Sequence, residues 1–323
     1  MKNIAVIMGG FTSEFAISLK SGAVVVNNLD PKKYRAFPII ITKDRWYYTD
    51  QDLQQYDVDK SDFSLHIGSK NYHFDCVFNA IHGSPGEDGL IQAYLKLLGI
   101  PQTACDYYQA ALTYNKRDLL RVLKAYGIKS AASYYLNKGD KIDTKAIIKT
   151  VGLPCFVKAN KSGSSYGISK VYNENELPAA IENSFQEDDE LLIESHLEGT
   201  EVSIGVISFN GSTKILPATE IITTNDFFDY EAKYEGKSEE ITPARISDQQ
   251  LKNLRATAKK IYEVLKLKGF SRSEFIFQGD EPYLLEVNTT PGMTNESLLP
   301  MQAKEAGITL EELFSSAIEN ALD

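Results

Sequence analysis

Cysteine pairs, long apolar runs and positive charge are all scarce in this chain of 323 residues. Its three cysteines, Cys76, Cys105 and Cys155, form no C-x-x-C pair, so neither a disulfide framework nor a zinc site is predicted. No apolar stretch approaches the ~18 residues of a membrane span, and Met1 leads into a short strand-like run. The net charge of -10 argues against a nucleic-acid-binding protein, which normally carries a basic face. We expect a cytoplasmic protein with no nucleic-acid or membrane partner.

Two familiar nucleotide-binding motifs are also missing. Residues 4–8 form an apolar run that ends in Gly9-Gly10 before a helix-like stretch, which is the order of a potential anion cradle. The G-x-G-x-x-G fingerprint and the Walker A loop are both absent, so a nicotinamide-binding site is weakly supported. An ordinary βα unit remains the alternative. Further strand-like runs at 36–42 and 74–79 predict a small α/β domain with a mainly parallel sheet. The chain length predicts two or three domains.

A glycine-rich loop, HGSPGEDG at 82–89, follows the strand-like run 74–79. Open α/β sheets bind ligands at the carboxyl ends of their strands, where this loop would lie. A lone histidine such as His82 is more often structural, but its place in this loop favours a role in binding.

The middle of the chain contains a second loop rich in glycine and serine. Residues 155–158 and 168–171 are strand-like, and the loop between them begins just after Lys158. This loop is either a flexible hairpin or a flap that covers phosphates with its backbone N–H groups. Ahead of it, residues 115–118 begin a helix that Gly127 ends.

The last third begins with strand-like runs at 191–194, 201–207 and 214–222. Residues 223–243 are polar and aromatic without sustained periodicity, which is typical of a functional lid or Ω-loop, with disorder as the alternative. Helices are predicted at 247–266 and 310–322.

A β-hairpin is predicted where two apolar runs flank Gly279-Asp280. Its polar residues are Arg272, Glu274, Glu286 and Asn288, and the last two share one face of their strand. Two carboxylates and an amide oxygen suit Mg2+, which prefers oxygen ligands. The alternative is an ordinary hairpin with a solvated polar edge.

Taken in chain order, these motifs resemble those of the D-alanine–D-alanine ligases of the ATP-grasp superfamily along essentially the whole chain. The shared order is GG-x-(T/S)-x-E, HG-x-x-GEDG, NK, VK…GSSxGIS, IE, DYEAKY and LLE-x-NT-x-PGMT-x-x-S. Seven motifs in one order are far more specific than any one of them. The resemblance implies a three-domain α/β fold. It comprises an N-terminal Rossmann-like domain (1–104), a central subdomain with the flap (105–193) and a C-terminal subdomain with the lid and hairpin (194–323), with ATP between the last two.

The resemblance also implies ATP-dependent ligation of two D-alanine molecules through an acyl phosphate, for peptidoglycan precursors. The first D-alanine carboxylate would attack the γ-phosphate, and the amine of the second would then expel phosphate. The alternatives are a related ATP-grasp ligase with another amino or hydroxy acid acceptor, such as D-lactate, and a non-catalytic nucleotide-binding protein. A homodimer is expected.

Residue roles follow from the same resemblance. ATP would be bound by Lys116, Lys158, Ser164, Ser165, Glu194, Leu197, Glu201 and Lys233. Two Mg2+ ions, for which Mn2+ is an expected substitute, would be held by Glu274, Glu286 and Asn288, with Glu286 bridging. Glu274 stands where the family commonly has aspartate, and glutamate keeps the charge but adds one methylene group.

The remaining assignments concern the two amino acids. Glu14 and His82 would bind the first D-alanine, and Ser297 and Leu298 the second. Arg272 and the Gly292 N–H would stabilise the tetrahedral intermediate. Ser164 and Tyr234 would bond to Glu14, and the tyrosine favours D-alanine over D-lactate as acceptor.

Overall fold

The described part of the chain forms three β-sheets, which follow one another along the sequence. The computed structural model describes residues 1–163, 167–223 and 238–323. The predicted site residues Ser164, Ser165, Lys233 and Tyr234, with most of the predicted lid, lie outside the described residues. Within the described ranges, no helix is both long enough and apolar enough to cross a membrane.

The strands are β1 (Lys2–Gly9), β2 (Tyr34–Ile41), β3 (Trp46–Thr49), β4 (Gln55–Asp59), β5 (Ser64–Ile67), β6 (Lys70–Tyr72), β7 (Cys76–Asn79), β8 (Ser133–Asn137), β9 (Cys155–Ala159), β10 (Ser169–Val171), β11 (Glu190–Ser195), β12 (Glu201–Phe209), β13 (Ser212–Thr223), β14 (Ser238–Ile241), β15 (Phe270–Gln278) and β16 (Glu281–Asn288). The helices are α1 (Phe15–Asn28), α2 (Leu90–Leu97), α3 (Tyr107–Tyr114), α4 (Lys116–Lys124), α5 (Thr144–Val151), α6 (Leu177–Ser184), α7 (Asp248–Val264), α8 (Leu298–Glu305) and α9 (Leu310–Leu322).

The N-terminal sheet has the order β6-β5-β4-β3-β2-β1-β7. Strand β1 pairs in parallel with β2 and β7, whereas β2 to β6 form successive antiparallel pairs. The prediction of a mainly parallel sheet is therefore wrong. Strands β3 to β6 are short and follow one another through tight connections, and such connections join antiparallel neighbours, since a parallel pair needs a long crossover.

One apolar core joins the N-terminal sheet to the C-terminal sheet. Phe78 of β7 packs edge-on against Phe314 of α9, with ring centroids 5.4 Å apart, and also contacts Phe270 of β15. The hydroxyl of Tyr34 adds a hydrogen bond of 3.2 Å to Glu319. These contacts hold the loop that follows β7 close to the β15–β16 hairpin.

The central sheet, β10-β9-β11-β8, is antiparallel and packs one face against α5 and α6. The predicted strands on either side of the glycine- and serine-rich loop are confirmed as β9 and β10. Along β9, Cys155, Val157 and Ala159 are buried, so the alternation of a strand turns Phe156 and Lys158 to the opposite face.

The C-terminal sheet has the order β14-β13-β12-β15-β16 and is antiparallel throughout. Helices α3, α4 and α7 cover its apolar face. The hairpin predicted around Gly279-Asp280 is confirmed as β15 and β16. The prediction of a loop over 223–243 is wrong at its end, because Ser238–Ile241 forms β14 against β13. This edge strand contains a single apolar residue, so pairing rather than sequence pattern defines it.

Candidate active site

A cavity of about 510 Å³ lies between the central and C-terminal sheets, and its lining brings together many of the predicted ATP-binding residues. Those residues are Lys116, Lys158, Glu194, Leu197 and Glu201, and the predicted metal ligands Glu274 and Glu286 line the same cavity. Sequence positions more than 150 residues apart therefore meet at one cavity of the size that small-molecule ligands occupy.

The central sheet contributes a buried ion pair to this cavity. Lys158 on β9 lies 2.9 Å from Glu194 on the neighbouring strand β11, and Glu194 is only 2% exposed. Burial alone would lower the pKa of Lys158, but Glu194, with help from Glu286 and Glu201, raises it. The lysine is therefore held as a cation beside the cavity.

The second carboxylate oxygen of Glu194, Oε1, has no hydrogen-bond partner among the described residues. Buried polar atoms are normally paired, so this acceptor fits a donor group such as the amino group of a nucleotide base. Phe156, two residues before Lys158, lines the same cavity together with Ile276 and Leu285. These apolar residues of the cavity wall were missed in the sequence, although the alternation of β9 places Phe156 on the face of Lys158.

The β15–β16 hairpin places its polar residues directly opposite one another. Glu274 pairs in register with Glu286, and Arg272 with Asn288. The register shifts between Glu274 and Phe275, so that Leu285 is an extra residue on β16, a β-bulge. Because of this bulge, Leu285 and Glu286 both line the cavity, although consecutive residues of a regular strand would face opposite sides.

Cations contact both carboxylates of this hairpin. The Nζ atom of Lys116 lies 3.5 Å from Glu286 and donates a 2.6 Å hydrogen bond to the carbonyl of Ser162. Arg272 forms an ion pair with Glu274 and also donates to Ser203 Oγ at 3.3 Å. The acidic edge of the hairpin is thus in contact with positive charge from two elements.

The hairpin residues fit a hard divalent cation. The described residues contain no cluster of three or more His, Cys, Asp or Glu side chains suited to a metal. Glu274, Glu286 and Asn288 instead provide two carboxylates and an amide oxygen at adjacent ladder positions. Mg2+ is commonly bound by one or two carboxylates with phosphate and water oxygens, so this smaller donor set is chemically suitable.

His82 is buried and links the N-terminal domain to the segment after β16. Its Nδ1 lies 3.1 Å from the carbonyl of Thr290, and its Nε2 lies 2.9 Å from Ser21 Oγ. Burial lowers the pKa of His82 while Glu14 opposes that shift, which favours the neutral ring. A carbonyl only accepts, so Nδ1 carries the proton, and Nε2 accepts from Ser21.

Ser21 donates to His82 and at the same time accepts a hydrogen bond of 3.2 Å from the backbone N–H of Met293. His82 and Ser21 therefore hold the chain on both sides of Pro291-Gly292. A Cβ atom at Gly292 would lie 2.7 Å from Ser297 Oγ, so glycine is needed here for close approach.

Ser297 and Leu298 lie at the start of α8. The Oγ atom of Ser297 accepts a hydrogen bond of 3.1 Å from the Thr294 N–H and lies 2.7 Å from Thr294 Oγ1. Leu298 packs against Ile221 of β13. Gly292 and Ser297 therefore lie close together in the segment that follows β16, with Leu298 next to Ser297.

Glu14 lies beside the beginning of the predicted flap. A Cβ atom at Gly163 would lie 2.8 Å from each carboxylate oxygen of Glu14, so the backbone there approaches this acid closely. Ser164, its predicted partner, is the next residue but lies outside the described residues.

Glu87 is an acid of the site to which the sequence gave no role, although it belongs to the GEDG motif. Its Oε2 accepts a hydrogen bond of 3.1 Å from the Gly83 N–H, and it shares a small cavity with Lys116, Glu286 and Asn288. Burial, with added repulsion from Glu14, raises the pKa of Glu87 to about 8. A half-buried carboxyl near Glu14 and Glu286 was the available signal, but it exists only in the folded chain.

The three-sheet fold, with its cavity between two antiparallel sheets, places the protein in the ATP-grasp class. Two family models match the chain, D-ala D-ala ligase N-terminus over residues 3–105 and D-ala D-ala ligase C-terminus over residues 122–319. The chain is 64% identical over 322 residues to the D-alanine–D-alanine ligase of Flavobacterium johnsoniae, with 100% of both chains covered.

Solved structures agree with this match. The VanG D-Ala:D-Ser ligase from Enterococcus faecalis is 30% identical with a TM-score of 0.86 and 99% of each chain covered. The D-alanine–D-alanine ligase from Bacillus anthracis complexed with ATP is 28% identical with a TM-score of 0.80, covering 100% of this chain and 98% of that one. The chain belongs to the D-alanine–D-alanine ligase family. The predicted family and the predicted ATP-grasp fold are both confirmed.

Proposed function

We propose that this chain joins two molecules of D-alanine into D-alanyl-D-alanine, with release of ADP and phosphate, for peptidoglycan precursors. The observation that carries the proposal is the β15–β16 hairpin. It places Arg272, Glu274, Glu286 and Asn288 beside a nucleotide-sized cavity. The name of the Flavobacterium johnsoniae relative supports the same reaction.

In this proposal ATP occupies the cavity between the central and C-terminal sheets. Lys116 and Lys158 bind its phosphates, and Glu194, Leu197 and Glu201 bind its nucleoside part. The buried pair of Lys158 and Glu194 supports these roles, because it holds a cation at the phosphates and leaves one carboxylate oxygen for the base. Ser164, Ser165 and Lys233 are assigned to the phosphates by resemblance alone.

Glu274, Glu286 and Asn288 are the residues proposed to hold two Mg2+ ions, with Mn2+ as a substitute. Bound there, the metal would neutralise charge on the phosphates during transfer. The protein's own part is to orient these three oxygens through the strand register and to set Lys116 beside Glu286.

Glu14 binds the ammonium group of the first D-alanine. The carboxylate of that D-alanine attacks the γ-phosphate of ATP, which gives an acyl phosphate and ADP. Arg272 and the Gly292 N–H then stabilise the oxyanion that forms when the second amine attacks the acyl carbon. We assign His82 to this step as well, because its bond to Thr290 and the Ser21–Met293 bond fix the backbone on both sides of Gly292. Neutral His82 does this without adding charge.

Ser297 and Leu298 bind the second D-alanine, and Ser297 contacts the carboxylate of that D-alanine. Tyr234 bonds to Glu14 and closes the lid in this scheme. We further propose domains at 1–104, 105–193 and 194–323, each built around one of the three sheets, although β11 of the central sheet continues past the second boundary to Ser195. We also propose a cytoplasmic location and a homodimer. Sedimentation of the purified chain tests the homodimer.

Phosphate release tests the proposed reaction. The purified chain with ATP and Mg2+ should release phosphate with D-alanine, and mass spectrometry should show the dipeptide. L-alanine should give neither product. Phosphate release without any dipeptide would contradict ligation of two D-alanine molecules.

The second candidate is the same chemistry with another acceptor. The likeness to a D-Ala:D-Ser ligase favours including D-serine beside D-lactate in the assay. Competition at equal concentrations and neutral pH should give mainly D-alanyl-D-alanine. An equal or greater yield of either mixed product would favour the second candidate.

A further inference from the structure

Helix α8 carries the proposed second-substrate residues at its first turn and a buried glutamine one turn later. Gln302 is 0% exposed. Its Nε2 donates to the Ser203 carbonyl and to Thr219 Oγ1, each at 3.0 Å. Both amide hydrogens are therefore used to attach α8 to two strands of the C-terminal sheet, β12 and β13.

Ser203 connects this attachment to the hairpin. Its Oγ accepts from Arg272 Nη1 at 3.3 Å, and in the ladder Ser203 lies opposite Glu274. The carbonyl of Ser203 faces Gln302 while its hydroxyl faces Arg272. A continuous path of hydrogen bonds thus runs from α8 through one residue of β12 to the arginine.

The fold makes room for the glutamine at a cost. A Cβ atom at Gly205 would lie 2.8 Å from Gln302 Oε1 and 2.8 Å from Leu299 Cδ1, so glycine is needed beside it. Gln302 Oε1 has no hydrogen-bond partner among the described residues. Burying an unpaired polar atom is unfavourable, and an apolar residue would pack here without that penalty. Packing alone therefore does not account for the amide.

We propose that Gln302 is a positioning residue that fixes the register between α8 and Arg272. Ser297 at the start of α8 would hold the carboxylate of the second D-alanine, and Arg272 would face the reacting carbon. The amide of Gln302 sets the distance between the two. This inference rests on the proposed function and deepens it, because it names the residue that positions the second D-alanine relative to Arg272.

The test uses variants that remove the amide but keep the volume. Gln302→Met retains the length of the side chain, and Gln302→Leu is a second apolar replacement of similar volume. In both, kcat should fall roughly ten- to a hundredfold, as expected for a small misplacement of reacting groups. The KM for the second D-alanine should rise, whereas the KM values for ATP and the first D-alanine should stay within about twofold of wild type.

Thr219→Val is the matched control, because it removes the other acceptor of the same amide and leaves the path to Arg272. It should lower the melting temperature without changing the KM for the second D-alanine. Wild-type kinetics in either of these variants would overturn the proposal and would show that Gln302 contributes only to packing. Equal rises in all three KM values would overturn it too. Absence of dipeptide with the wild-type chain would instead refute the proposed function.

Discussion

The central and C-terminal sheets, which enclose the cavity of about 510 Å³, balance their charges in different ways. The central sheet balances its own charges, since Lys158 and Glu194 pair across neighbouring strands at 2.9 Å. The C-terminal sheet presents Glu201, Glu274 and Glu286 to the same cavity. Lys116, which lies 3.5 Å from Glu286, comes from outside that sheet.

This difference separates two kinds of residue. A wall that neutralises itself contributes to folding as well as to binding, so its residues should affect stability when replaced. The C-terminal wall pairs Glu274 with its own Arg272 but relies on Lys116 of α4 for Glu286, so its residues should affect chemistry more than folding. Three predictions test this contrast and a fourth concerns Glu87 of the N-terminal domain, from the largest expected effect to the smallest.

Replacing Glu286 with glutamine should nearly abolish turnover. The change keeps the shape of the side chain but removes the carboxylate at the centre of the proposed metal site. Phosphate release should fall roughly a thousandfold or more, with an unchanged melting temperature. Glu281→Gln, on the same strand but at the surface, is the control and should behave as wild type. Near-normal phosphate release from Glu286→Gln would refute the assignment.

Replacing Arg272 with alanine should lower kcat on the order of 10² to 10³-fold, the usual cost of losing an oxyanion-stabilising group. Its assigned role is in the transition state, so the affinity for ATP, measured by calorimetry, should change little. Arg245→Ala removes a surface arginine paired with Glu220 and serves as the control. A variant that loses ATP binding yet keeps turnover at saturating ATP would contradict the role.

Replacing Lys158 with methionine should destabilise the fold as well as weaken ATP binding. Glu194 would remain buried without its partner, which typically costs about 3–5 kcal/mol. Denaturant unfolding measures this loss. The double variant Lys158→Met/Glu194→Gln should recover much of the stability but not the ATP affinity. If the single variant unfolded like wild type, the self-balanced description of the central wall would be wrong.

Replacing Glu87 with glutamine should change how stability depends on pH. The pKa of Glu87 is about 8 in the fold, above its usual 4.5, because of burial and the nearby Glu14. Its protonated form is therefore favoured on folding, so this stability is present below pH 4.5 and lost as pH rises through 8. Glutamine mimics the protonated form, and the variant should gain about 1–2 kcal/mol over wild type across that window, allowing for partial exposure.

Denaturant unfolding at pH 5, 6.5 and 8 would show the gain for Glu87→Gln. The neighbouring Asp88→Asn is the matched control, since Asp88 Oδ1 accepts a hydrogen bond from the Leu90 N–H at the start of α2 and asparagine keeps that acceptor. A difference between Glu87→Gln and wild type that stays constant with pH would argue against a raised pKa.

Local sequence patterns predicted the parts of the fold that depend on neighbours in the chain. The apolar runs on both sides of Gly279-Asp280 predicted the hairpin, and the periodic run at 247–266 predicted α7, which the structure begins at Asp248 with Ser247 as its N-cap. The order of seven motifs identified the family. The same motifs predicted the site residues in the described ranges, and the roles of these residues stay predictions.

Features that depend on distant partners could not be predicted. The antiparallel pairing of β2 to β6 depends on which strands become neighbours in the folded sheet. Strand β14 forms because its backbone hydrogen-bonds to the edge of β13. Glu87 and Gln302 looked like ordinary polar residues, since their meaning depends on Glu14 and on Ser203. Neither partner lies within 70 residues of them along the chain.

The bulge at Leu285 adds an apolar side chain to the cavity without changing which residues of β16 face the core. Leu284 before it and Val287 after it are both buried, and these two residues pair with Phe275 and Ser273 of β15. A gene that lost the codon for Leu285 would encode a regular strand, with Leu284 and Val287 still facing the core and Glu286 and Asn288 still facing the other side. Its product should therefore keep the hairpin and its polar residues and lose only the part of the cavity wall that Leu285 forms.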